Sequence, residues 1–250
     1  MGSIFTRPRR QIQAATSSSM REYPVTSFDE VMAAISVIQK LGATGDYAAA
    51  AACILQVAPF RVERSIVIPV ECVGLTFKAC SRLPITAGGV VDTLFDVRAK
   101  LVTIRDLFCA SESTTDMFTT FVTCGSGGAD LLRVLDNYVV ADRVYVESAS
   151  NDPNDVIIRG NQQSEVNNAH AAPIVIHGGR ARVVENTLAD GGGDGITVGA
   201  GGDFVAIIGN DLRGADITTT ASDGENTIVG NNNVTTLTLH ANDEEAANTP

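Results

Sequence analysis

Two rhythms divide the chain. Over "TSFDEVMAAISVIQKLG" (residues 26–42), Phe28, Val31, Met32, Ile35, Ile38 and Leu41 recur three or four residues apart, which predicts one amphipathic helix. Ser27 and Glu30 stand at capping-box spacing, and Gly42 is placed to stop the helix. The following "DYAAAAACILQV" predicts a second, shorter helix or the approach to a strand. From about Ala52 helical spacing disappears. Short β-branched runs such as "SIVIP", "LVTI", "DVIIRG", "PIVIHG", "FVAIIG" and "TIVG" alternate with clusters of Gly, Asn, Asp and Ser. Strands joined by turns, with no helix between them, predict an all-β body.

That body repeats. "RVVENTLADGGGDGITVGAGG", "AIIGNDLRGADITTTASDG" and "TIVGNNNVTTLTLHANDE" each read as a strand, an Asn-containing bend and a second strand. Asn186, Asn210 and Asn231 lie 24 and 21 residues apart, and Asn161 in "DVIIRGNQQ" precedes Asn186 by 25. Asp106 and Asp142 mark weaker echoes upstream. A helix-free repeat of this length predicts a β-solenoid. The continuous apolar runs favour it over a sandwich, whose strands would alternate. Each Asn is expected at a corner, taking up the left-handed backbone itself and bonding its amide to the Asn of the next turn.

This arrangement resembles the pectin-lyase-like right-handed parallel β-helix superfamily over roughly residues 28–241. The predicted helix followed by "ILQVAPFRVERSIVIPVECVGLTFKA" is similar to the entry of bacteriophage tailspike-type members. Those carry an I-x-L-x-x-G-x-Y pattern there, and Pro59 and Phe60 stand here in place of its Gly-x-Tyr. The resemblance implies a right-handed parallel β-helix, an N-terminal capping helix, an extended N-terminal arm and a homotrimer. The chain then divides into an anchoring basic arm (1–26), a capping-helix region (27–51) and a parallel β-helix (52–250) ending in a short acidic tail.

Charge sharpens this division. The net charge is −11, yet residues 1–26 carry +3, including Arg7, Arg9 and Arg10, so the remainder carries −14. An acidic body repels nucleic acid and anionic membrane, and neither is expected as its partner. No apolar run approaches the ~20 residues of a membrane span, and no apolar stretch follows the early arginines as a secretory leader requires. Five cysteines without a Cys-x-x-Cys pair argue against a disulfide framework and against zinc, and are expected as reduced core thiols.

Candidate chemistry is sparse. The Asn-Thr-Asp, Asp-Asp and Gly-His-Gly motifs of polygalacturonase-like members are absent. Arg180 and Arg182, with Glu185, Asp190 and Asp194, imitate the base and calcium ligands of lyase members, but solvated strand faces explain them as well. "GGGDGITVG" (residues 191–199) departs from a calcium β-roll, with Thr197 where an Asp ligand belongs. His170, His177 and His240 lack metal-ligand spacing. The expectation is no catalytic residue, no metal and no cofactor. The chain is expected to be a structural virion component, a spike, fibre or decoration protein, bound to other virion proteins through its arm. The alternatives are a polysaccharide lyase or hydrolase of depolymerase type, and an adhesin for a host surface glycan.

Overall fold

Parallel strands cannot be joined by tight hairpins; each needs a crossover that returns the chain to the same end of the sheet. Here the crossover is the rest of a coil. The computed structural model describes residues 20–124, 130–140, 155–164, 173–188, 193–202, 204–220, 226–241 and 243–249. They form a parallel β-solenoid of about six turns. Arg7, Arg9, Arg10, Asp142, His170 and Asp190 lie outside the described residues.

One face is a ten-stranded sheet, stacked in chain order. It begins with β1 (Arg21–Val25) and β2 (Cys53–Val57) and continues through Thr76–Ala79, Thr103–Arg105, Arg133–Leu135 and Val156–Arg159. Ala181–Val184, Ala206–Ile208, Thr227–Val229 and Glu244–Ala246 complete it. A second face has five strands, from Arg61–Val62 to Gln162–Ser164, and single bridges through Thr187, Asp211 and Asn232 prolong it. The third face is split. Three strands (Ile66–Ile68, Val90–Val97, Met117–Cys124) serve the first half, and four (Ile174–Gly179, Asp194–Gly202, Asp216–Thr219, Leu237–Thr238) serve the second.

The register turns single-strand alternation into axial columns. Leu55, Phe77, Ile104, Val134, Ile158, Val183, Ile207 and Ile228 lie directly on one another in the long sheet, all pointing inward and all buried. Burial of each such side chain contributes roughly 1.5–3 kcal/mol. The first half of the core adds phenyl rings: Phe95 meets Phe77 and Phe121 edge-on, with centroids 5.1 and 5.7 Å apart.

Helix α1 (Phe28–Ala43) packs its buried residues Val31, Ala34, Ile35 and Ile38 into the same core, against β1 and β2. Ser27 caps it, its hydroxyl accepting from the Glu30 N–H at 3.2 Å. The Glu30 carboxylate returns the bond one residue earlier than a capping box would, accepting from the Thr26 N–H at 2.7 Å and the Thr26 hydroxyl at 2.8 Å. A short helix α2 (Tyr47–Ala51) follows and leads directly into β2. Arg21–Val25, grouped with the arm on sequence, pairs residue for residue with β2.

Gly42 does not stop α1. It lies inside the helix, and the left-handed residue beyond the end is Gly45 (φ 81°), whose N–H donates to the Gly42 carbonyl at 2.9 Å. Gly42 is needed for a different reason: a Cβ there would stand 1.9 Å from the Glu71 carbonyl oxygen. Gly42→Ala is therefore expected to cost about 3 kcal/mol, since backbone must move to admit the methyl. Gly45→Ala, which meets no atom within 4 Å, is expected to cost only about 1 kcal/mol of backbone strain. Urea unfolding of the two variants checks the order; equal losses would remove the close-approach argument.

Candidate functional site

At the corner that follows each of the last seven long-sheet strands, from Thr103–Arg105 onward, the chain bends in two residues. The first takes the left-handed conformation. Asp106, Asp136, Gly160, Glu185, Gly209, Gly230 and Ala247 occupy this position on successive turns, with φ between 53° and 67°. The second points inward: Leu107, Asn137, Asn161, Asn186, Asn210, Asn231 and Asn248. The bend is thus made by the residue before each Asn, not by the Asn as the sequence pattern suggested.

Each Asn from Asn161 to Asn231 uses its whole hydrogen-bonding capacity. Asn186 is typical. Its Nδ2 donates to Asn210 Oδ1 (2.9 Å) and to the Ile158 carbonyl (3.0 Å), while its Oδ1 accepts from the Asn161 N–H and Nδ2, both at 3.0 Å. The Asn–Asn contacts recur unbroken from Asn137 to Asn248 at 2.9–3.0 Å. Asn137 through Asn231 are 2% exposed or less, so each amide replaces water fully. The ladder begins at Leu107, which has no amide to offer but donates its N–H to Asn137 Oδ1 at 3.0 Å. Asn248 was missed on sequence because its spacing of 17 residues from Asn231 falls outside the visible period; Asn137 stands 24 residues before Asn161, inside that period, and was missed all the same.

A shorter ladder lies at the opposite edge of the long sheet. The Val205 N–H donates to Asn226 Oδ1 at 2.9 Å, and Asn226 Nδ2 donates to Asp243 Oδ1 at 2.9 Å. The other Asp243 oxygen accepts from the Thr219 hydroxyl and from the His240 N–H. Nothing in the local sequence signalled this cluster, because its members come from three separate segments.

The chemically suggestive residues are spread over the fold. Arg180 pairs with Asp155 at 3.5 Å. Arg182 faces outward from the long sheet, whereas Asp194 opens a strand of the third face and Glu185 forms a corner. Gly195 serves packing: a Cβ there would lie 2.8 Å from the Ala215 methyl of the next turn. His177 is an exposed residue of the third face, and His240 is held by its backbone in the last turn. Among the described residues, no group of three or more His, Cys, Asp or Glu is placed to hold a metal ion, and no helix is long and apolar enough to cross a membrane.

None of the five cysteines is in a disulfide; Cys53, Cys72, Cys109 and Cys124 are buried and Cys80 is exposed. Burial pushes the Cys72 thiol up to about 12, with smaller contributions from Glu71 and Cys53, and burial also raises Cys53 and Cys109.

No protein family, curated protein or solved structure matches the chain significantly. What the fold defines is the class, a parallel β-solenoid.

Two outcomes follow from these placements. Asn210→Ala strands the Asn186 donors and is expected to cost about 3 kcal/mol or more, whereas Asn248→Ala, at the partly exposed end, should cost about 1 kcal/mol. Denaturant unfolding checks this, and an Asn210→Ala protein within 1 kcal/mol of the parent would show that the ladder contributes little. A thiol reagent at pH 8 is expected to label Cys80 rapidly in the folded protein and the other four cysteines only after denaturation, counted by mass.

Proposed function

We propose that this chain is a non-catalytic structural component of a bacteriophage particle: a spike, fibre or decoration protein. In this reading it is a right-handed β-helix related to the tailspike type, with α1 as its cap, and it works as a homotrimer. The observation that supports this most is the position of β1. It is the terminal strand of the long sheet, so the segment bearing Arg7, Arg9 and Arg10 joins the rod at its end. An attachment segment belongs there, where a rod can be planted without covering its sides. The stiffness suits the role, because in-register sheets and a buried amide ladder resist bending and shear together. The opposed charges, +3 before residue 27 and −14 after it, favour an acidic seat for the segment on a neighbouring virion protein.

The test uses the chain in its natural assembly, compared with a version lacking residues 2–19, which leaves β1 intact. Native mass spectrometry is expected to find the full chain bound to other protein species and the shortened one as a free homotrimer, with unchanged circular dichroism. Retention of the shortened chain would rule out the arm as the anchor. A full-length chain that is never recovered in a complex would remove the particle assignment itself.

A further inference from the structure

The long sheet has a second corner, where the chain enters each strand. Register stacks one residue per turn there: Gly74, Leu101, Leu131, Asp155, Arg180 and Phe204, each two places ahead of a paired strand residue. Three of them suit the position poorly. Leu101, Leu131 and Phe204 hold left-handed backbone, with φ of 61°, 62° and 55°, a conformation that Gly74 at φ 78° takes up without strain. They are also 41%, 37% and 57% exposed. At the Asn corner the same conformation is left to Asp, Glu, Gly and Ala. A large apolar side chain that is strained and still faces water serves neither folding nor solubility, and points to a surface that covers it.

From Leu131 to Phe204 the column reads apolar, acid, base, apolar, and all four side chains line one groove of about 540 Å³. Arg180 Nε stands 3.5 Å from Asp155 Oδ1, with both side chains half-exposed and open to a further partner. This order is its own complement when inverted. If a second copy is turned end over end about an axis crossing the column midway between Asp155 and Arg180, acid meets base twice. Asp155 then faces Arg180 of the second copy, Arg180 faces its Asp155, and Leu131 and Phe204 face each other in both directions. In the neighbouring outward column, Arg133 and Arg182 come to face Ala206 and Ile157, so no cation is set directly against a cation.

We propose that this corner is a self-association surface, through which two copies of the chain pair antiparallel about a two-fold axis. A two-fold contact requires a patch complementary to itself, and the four-residue column is one. The charges also select the direction. A two-fold axis along the rod would set Asp155 against Asp155 and Arg180 against Arg180, which repulsion opposes. The proposal does not rest on the particle assignment. Two-fold pairing cannot close three copies, so in a trimeric assembly it joins copies of different trimers.

Sedimentation equilibrium of the full chain over a wide range of concentration is expected to show reversible pairing, as dimers or as paired trimers. Asp155→Arg and Arg180→Asp are each expected to weaken it about tenfold, because the axis repeats every contact and one substitution opposes two ion pairs. Mixed in equal amounts, these two variants are expected to pair with each other at least as tightly as the parent, native mass spectrometry resolving the mixed species by its mass. Phe204→Asn separates association from folding. Asn tolerates the left-handed backbone, so this variant is expected to melt about 2 °C higher at dilution, yet to pair about tenfold more weakly. Only monomers or trimers at every concentration would overturn the proposal and leave the corner to a foreign protein. Unchanged pairing in the folded single variants, or a mixture that pairs no more tightly than either alone, would overturn it as well.

Discussion

A buried amide is costly unless all its hydrogen-bonding positions are used. The solenoid meets this condition at one corner of every turn from Asn161 to Asn231 by making the amide of one turn the partner of the next. The bond has a further effect. An Asn that reaches the turn behind, through a core-residue carbonyl such as that of Ile158, and the turn ahead, through an Asn oxygen, fixes how three successive turns superimpose. The apolar columns then follow. A one-residue slip would move Val183 and Ile207 to the outside of the sheet and also strand the amides, so packing and hydrogen bonding enforce the same register.

The two ends of the long sheet show how that order is stopped. The inward column starts at Tyr23 in β1, beside α1, and ends at Glu245 beneath Ile228. Glu244–Ala246 is exposed along its whole length and carries two carboxylates. Charge on a terminal strand opposes its pairing with another chain, a hazard that in-register parallel sheets otherwise invite. Between these ends the core changes character, with rings from Phe77 to Phe121 giving way to Ile, Val and Leu.

The solenoid was legible in the sequence because Asn recurs where few other side chains satisfy the corner, and because spacings of 21–25 residues sit within one visible period. What was hidden has identifiable reasons. The left-handed residue escaped notice because its position tolerates Asp, Glu, Gly and Ala, leaving no compositional trace. Gly42 was misread because a glycine near a helix end commonly is a stop, and only the Glu71 carbonyl, distant in sequence, reveals its purpose. A row of cations on the outer face of the long sheet could not be read at all. Lys78, Arg105 and Arg159 stand in one outward column and Arg133 and Arg182 in the other, many residues apart, so they come together only once the register is known.

The spacing between ladder positions shortens from 30 residues to 17 along the chain, yet the amides stay in contact throughout. Length is therefore absorbed elsewhere in each turn, in the connections away from the corner. For the lineage that carries this chain, insertions and deletions on those connections are nearly neutral in the register, so the surface they build can diversify while the rod beneath it is inherited unchanged.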